Sequence, residues 1–407
     1  MAHDSHPPAE LPAYDLSMPP IVRFGAGRVA ELGDVVRLLG RRAWLVGGTR
    51  SLVESAARPR IEASLAAAGI ETALVAVSAG EPTVDQVATA LAALPRDGRD
   101  EAVVVAVGGG SAIDLAKAVA AMATNVDPAL TGAEGLATAV VEHLEGVGQR
   151  TIGRWPLPVV AVPTTAGTGA EATRNAVIAC PRRRFKKSMR SPLMVPRAAV
   201  IDAELGVDCD HATTAAAGLD AITQLIESFV CRFARPVPRA LVLDALPRAL
   251  AALPRALADR ADVDARAALA HAAFLSGVAL ANSGLGMAHG VAAALGIECG
   301  TPHGLACAVM LPTALRVNAP AAAVDFARLE RTVDPSAAAD DAVAAEAFVR
   351  RIERLCHESG VPRRLADVGL SRDRVEWLAH HSGGASMRGN PVELAPPRLQ
   401  AILEAMY

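Results

Sequence analysis

Residues Asp100 to Ala120 read DEAVVVAVGGGSAIDLAKAVA. The apolar run Val103 to Val107 has the length and β-branched content of a buried strand, and the three glycines Gly108, Gly109 and Gly110 end it. Ser111 then stands where an N-cap hydroxyl belongs, with Asp114 three residues on as the acidic partner of a capping box and Lys117 one turn further. The stretch therefore predicts strand, tight turn, helix. Glycines let a backbone approach a phosphate closely, and the first N–H groups of the helix favour negative charge. A second stretch repeats the theme. PTTAGTGAEAT, Pro163 to Thr173, follows the apolar run Val159 to Val162 and sets the hydroxyls of Thr164, Thr165 and Thr168 beside Gly167 and Gly169. A ligand-free turn would account for the first loop alone, but two such loops predict a cradle for a phosphorylated cofactor.

Working outward, the chain alternates strand and helix patterns: Ala43 to Val46, Ile61 to Ala68, Thr72 to Val77, Val84 to Leu94, then the strand into Gly108. This is the signature of a parallel sheet with helices on its faces. Beyond about Leu205 the strand patterns stop and long Ala- and Leu-rich helical patterns run to the C-terminus. The expected class is an α/β N-terminal domain with a Rossmann-like parallel sheet plus an all-α C-terminal domain. The expected divisions are a disordered lead-in over 1–18, a dinucleotide-binding domain over 19–205 and a helical metal and substrate domain over 206–407. Ligands of open α/β sheets bind at the carboxyl ends of the strands, so the reaction is expected in the cleft between the domains.

Composition narrows the function. Of the 407 residues 52% are hydrophobic but only 3% aromatic, so the interior is built from Ala, Val and Leu. The net charge of -3, from 40 basic and 43 acidic residues, gives no overall pull toward nucleic acid or an anionic membrane. The basic cluster RRRFKK, Arg182 to Lys187, is short and reads as a solvated hairpin. Ala267 to Ile297 lacks charge but is broken by Gly284 and Gly286 and carries His271 and His289, so it reads as two buried helices and not a membrane span. Six cysteines without CxxC spacing, and an N-terminus without an apolar signal region, point to reduced thiols in the cytoplasm.

Asp220, between Leu219 and Ala221 on an apolar helix, needs a partner, because an unpaired buried carboxylate is very costly. A metal, an imidazolium or a substrate hydroxyl would serve. Glu227, on a similar face, reads as a structural ion-pair residue. Taken alone, His289 and His303 are two histidines in apolar surroundings, more often satisfied core residues than ligands.

These segments, with FGAGRVAELG from Phe24, AVIDAEL from Ala199, GLDAITQLIES from Gly218, GLGMAHGVAAALG from Gly284, TPHGLACAVMLP from Thr301 and GNPVEL from Gly389, occur in the order found in the iron-containing, or group III, alcohol dehydrogenases. The chain resembles that family over nearly its whole length, and so the dehydroquinate-synthase-like fold. The resemblance implies hydride transfer between a nicotinamide cofactor and an alcohol, aldehyde or ketone, with one divalent metal, Fe2+ or Zn2+, held by an aspartate and three histidines. Carried over by position, the ligand set is Asp220, Gln224, His289 and His303. Gln224 stands where the family usually has histidine, and a carboxamide is a weak donor. Ala293 replaces a second histidine commonly found near the nicotinamide.

The resemblance also assigns the cofactor to Gly48, Arg50, Gly108, Gly109, Gly110, Ser111, Asp114, Thr164, Thr165, Thr168, Lys187 and Leu205, with Lys186 the one-residue alternative to Lys187. NAD-preferring relatives place an acid just after the first strand; here AWLVGGTR puts Gly48, Thr49 and Arg50 there, so NADPH is expected to be accepted alongside NADH. Asn175 is a candidate substrate contact or a strand-end residue. The leading function is an NAD(P)H-dependent carbonyl reductase acting on a small carbonyl or alcohol, as a homodimer. His289, His303 and Asp220 act through a bound cation or, without one, as proton donor and its holder. Maleylacetate-reductase-like reduction of an anionic substrate and a dehydroquinate-synthase-like lyase remain open, as does a cofactor-binding protein with a degraded site.

Overall fold

The computed structural model describes residues 13–95, 97–130 and 132–407. Most of the expected lead-in, residues 1–12, lies outside the described residues. Within the rest of it, the backbone of Ser17 exchanges two hydrogen bonds with the Asn282 side chain, at 2.7 and 2.8 Å, which ties this segment to the helical half.

The first half is a six-stranded parallel sheet: β1 (Ile21–Phe24), β2 (Arg42–Gly48), β3 (Glu71–Ser78), β4 (Ala102–Gly108), β5 (Val159–Pro163) and β8 (Ala198–Ile201), in the order β1-β8-β5-β4-β2-β3. Helices α1 (Leu32–Arg37), α2 (Arg58–Ala67), α3 (Val84–Ala93), α4 (Gly110–Asn125) and α5 (Ala133–Glu142) connect these strands. Both faces of the sheet are covered, which is why β4 is apolar at every position: Val104 and Ala106 enter one core with α3 and α4, and Val103, Val105 and Val107 enter the other with α1 and α2. All strands being parallel, the ends of β2, β4, β5 and β8 open on one edge. A separate antiparallel hairpin, β6 (Asn175–Cys180) and β7 (Phe185–Arg190), carries the basic cluster at its tip.

The second half is helical: α6 (His211–Val230), α7 (Pro236–Ala258), α8 (Val263–Asn282), α9 (Met287–Cys299), α10 (His303–Val333), α11 (Asp341–Glu358), α12 (Val375–His381), α13 (Ala385–Arg388) and α14 (Pro396–Glu404). The uncharged stretch forms α8 and α9, separated at Ser283 to Gly286. By length and composition α8 and α10 would pass as membrane spans; here they contribute Leu269, Val278, Leu311 and Phe326 to the core shared with α6, α7 and α11.

The halves meet where no side chain intervenes. Gly169, in the second loop at φ 59°, lies against Gly277 of α8 so closely that a Cβ on Gly277 would sit 2.2 Å from the Gly169 carbonyl oxygen. Gly304 likewise lets the start of α10 rest on α6, where a Cβ would come 2.5 Å from the Ala216 carbonyl oxygen. That contact brings His303 beside Asp220.

Candidate active site between sheet and helices

The two loops form one surface. β4 ends at Gly108 and α4 begins at Gly110 with Gly109 as its N-cap, so no side chain caps it. Ser111 thus lies inside the first turn, and the expected capping box does not form, because the backbone at Gly109 already adopts the extended cap conformation and the helix starts early. Asp114 turns away instead, accepting from the Val177 amide at 2.9 Å and the Lys117 ammonium at 3.3 Å. An uncapped helix start beside small polar groups is open to an anion. Thr168 packs onto it: a Cβ on Gly110 would lie 2.5 Å from Thr168 Oγ1, and the Thr164 amide donates to the Gly108 carbonyl at 3.1 Å.

Lys117, outside the expected site residues, locks this arrangement. Its buried ammonium donates to the Ala170 carbonyl at 3.0 Å and Thr173 Oγ1 at 2.8 Å, stitching α4 to the second loop. Burial lowers its pKa while Asp114 opposes the fall. The other cofactor candidates are more scattered. Gly48 ends β2 next to the Gly108 turn, and Leu205 is buried in the core beneath the sheet edge. Arg50 is 83% exposed and faces Asp210, the N-cap of α6, at 3.7 Å. Lys187 points outward from β7, whereas the Lys186 side chain is only 10% exposed and pairs with Glu81. In the alternating pattern of a strand, neighbours face opposite sides, so only Lys186 is directed inward.

Across the cleft, α6, α9 and α10 converge. Asp220 comes from α6, His289 from the first turn of α9, and His303 and Cys307 from the first two turns of α10. One ligand atom from each lies within 4.8 Å of all the others. His289 Nε2 and Asp220 Oδ1 stand 3.2 Å apart without hydrogen-bond alignment, and both are buried atoms lacking a partner among the described residues. Orphaned buried polar atoms aimed at a common point suit a cation, so an Asp, His and Cys donor set fits a divalent metal.

His289 is set by Glu227. One carboxylate of Glu227 takes the His289 Nδ1 at 2.7 Å, the Gly286 amide at 3.0 Å and the Ala288 amide at 2.7 Å, so it closes the N-terminus of α9 as well as orienting the ring. Glu227, expected as a structural ion-pair residue, pairs with the His289 imidazole and in addition holds a helix start. Burial pulls the His289 pKa down, yet Cys307, Asp220 and Glu227 together raise it well above the usual imidazole value. His303 is pushed down to about 4 by burial, and the Cys307 thiol up to about 12.

Gln224 is committed elsewhere. Its Oε1 accepts from Ser276 Oγ at 2.8 Å, and its Nε2 donates to the Thr168 carbonyl at 3.3 Å. The second loop and the helix carrying Asp220 are therefore hydrogen-bonded directly. Cys307, absent from the sequence-derived set, was legible as the residue one turn after His303 on the same helix face. Beside the second loop, a small cavity of about 30 Å³ is lined by Thr164, Thr165, Glu171, Cys209, Thr214 and Arg266.

Comparison with known proteins places the arrangement. The profile for "Iron-containing alcohol dehydrogenase" matches residues 19–203, and that for "Fe-containing alcohol dehydrogenase family, C-terminal" matches residues 214–407. The chain is 31% identical to lactaldehyde reductase of Escherichia coli K12 over 372 residues, 91% of this chain and 93% of that one. It is 32% identical to choline dehydrogenase of Bacillus subtilis over 385 residues, 94% and 92% of the two chains. A crystal structure of 1,3-propanediol oxidoreductase superposes with a TM-score of 0.87 at 28% identity, covering 97% of this chain and all of the other. With a sheet and a helical half that each match along their length, the protein belongs to the iron-containing alcohol dehydrogenase family.

Proposed function

We propose that this nicotinamide-dependent alcohol and aldehyde oxidoreductase works as a carbonyl reductase, with its cofactor diphosphate at the uncapped start of α4 and hydride transfer beside the second loop. The observation that carries the reading is the Gln224 bond to Thr168, which ties the helix directly to the loop that would face the nicotinamide and so fixes Asp220 one helical turn from that bond. Asp220, His289 and His303 would hold a divalent cation, which when bound supplies Lewis-acid polarisation of the substrate carbonyl. The chain's own groups do the rest. Gly108 to Ser111 and Thr164, Thr165 and Thr168 grip and orient the cofactor, and Lys117 keeps the two loops together before it arrives. Glu227 holds His289 in one ring orientation.

A second reading needs no cation and rests on His289, pressed between Glu227 at 2.7 Å and Asp220 at 3.2 Å. An imidazolium so held can donate a proton to the developing alkoxide from Nε2. Metal analysis separates the two: full activity in protein free of bound metal removes the first reading, and activity abolished by chelation and restored by metal removes the second.

NADPH use belongs to the same proposal, supported by Gly48 in place of an acid and by Arg50 nearby. So do a homodimer and a cytoplasmic location, the latter supported by six cysteines that are all unpaired. The test is a panel of aldehydes and keto acids assayed with NADPH and NADH, with and without added Fe2+ or Zn2+. Turnover of carbonyls with NADPH is the expected result; no oxidation of either cofactor with any carbonyl would remove the reading.

A further inference from the structure

We infer that Cys307 is the fourth donor of the metal site, taking the corner that Gln224 leaves, and that the site is thereby suited to Zn2+ over Fe2+. The inference rests on the reading that Asp220, His289 and His303 hold a divalent cation, and it adds the identity of the remaining ligand.

Three observations carry it. The first is distance. Four donors around a tetrahedral zinc, at its usual bond lengths, stand roughly 3.3 to 3.8 Å from one another. His289 Nε2 and Asp220 Oδ1 are 3.2 Å apart, and His303 Nε2 and Cys307 Sγ are 3.7 Å apart, so both edges already have the required size. Cys307 Sγ belongs to the same group of mutually close ligand atoms. The second is the engagement of Gln224. To turn its oxygen toward the cluster it must break its bonds to both Ser276 and Thr168, leaving a buried hydroxyl and a carbonyl with one partner fewer. The third is that Asp220 Oδ1 and His289 Nε2, on residues that are 1% and 5% exposed, are without a partner among the described residues, as is His303 Nδ1. Cys307 is itself fully buried and faces these atoms instead of a purely apolar wall.

The chemistry follows from the donor. A thiolate is soft and favours zinc, whereas the all-imidazole and carboxylate set it replaces serves iron as well. Binding requires the thiol proton of Cys307 to leave, and any proton on His289 Nε2 with it, so cation uptake releases protons to solvent and affinity rises with pH.

The test uses the full chain, stripped by chelator and reloaded with Co2+, a spectroscopic stand-in for zinc. The expected spectrum has visible d–d bands together with an intense near-ultraviolet thiolate-to-cobalt charge-transfer band. In Cys307→Ser and Cys307→Ala the near-ultraviolet band disappears while visible bands persist, and zinc affinity measured by chelator competition falls by roughly tenfold or more. Cys299→Ser, altering a partly exposed thiol at the far end of α9, keeps both bands. Far-ultraviolet circular dichroism and melting of the metal-free variants establish that they are folded. Visible bands without charge transfer in the unaltered protein overturn the role of Cys307 and leave the cation reading standing. Failure to bind Co2+ at all overturns both.

Discussion

Glu227 Oε2 and His289 Nδ1 are 2.7 Å apart, and because a carboxylate can only accept, the proton between them sits on the histidine. Nε2 is thereby left to face Asp220, so one carboxylate two turns from Asp220 decides which ring nitrogen serves the site. Replacing Glu227 by Gln weakens that preference and the hold on the α9 amides. We expect zinc affinity to fall by roughly 10- to 100-fold, as for other partners that orient a metal-binding histidine. Chelator competition on the purified variant measures it; an unchanged affinity would mean the ring is held by packing alone.

Arg50 follows the end of β2 and faces Asp210 at 3.7 Å, a loose exposed pair that contributes little to stability. If it receives the 2′-phosphate, Arg50→Ala raises KM for NADPH by roughly five- to tenfold and leaves KM for NADH within about twofold. Steady-state kinetics with both cofactors decide. Equal effects on the two would assign Arg50 a structural part only.

Gly277→Ala forces a methyl group into the Gly169 backbone, since its Cβ would lie 2.2 Å from that carbonyl oxygen. Overpacking of this kind costs about 1 to 3 kcal/mol. The melting temperature should drop and KM for the cofactor should rise together, because the second loop must shift to relieve the clash. A stable variant with unaltered kinetics would contradict this.

Glu171 is buried beside the small cavity, and burial raises its pKa from 4.5 to about 7. The folded state therefore keeps a proton that the unfolded chain releases, so stability is lost as pH climbs from about 4.5 to about 7 and stays level above. Glu171→Gln removes that dependence, making the variant more stable than the parent by up to about 3 kcal/mol above pH 7 and equal to it near pH 4. Melting curves of both proteins across this range test the sign; a variant less stable at pH 8 would show that the ionised carboxylate has a partner.

Much of the sheet was readable because its signal is local. The VVVAV run of β4 is apolar at every position because both faces are buried, and Gly108 to Gly110 mark its end without ambiguity. The helix cap falls two positions before the Ser111 cap that the sequence suggests, since a glycine in extended conformation can also cap and leaves no side-chain signature. The ligand cluster was only half legible. Asp220, His289 and His303 come from three helices, and no spacing rule shows that α10 rests on α6 through Gly304. Gln224 looked available because its partners, Ser276 and Thr168, are distant in sequence. Lys186 and Lys187 could not be told apart until the register of β6 against β7 fixed which faces inward.

The contact of Gly169 with Gly277 has a mechanical consequence. Neither glycine carries side-chain atoms that could turn to a new rotamer, so the contact has no slack to absorb a displacement. A shift of α8 is therefore passed straight to the backbone of the second loop, and the helical half sets where that loop stands.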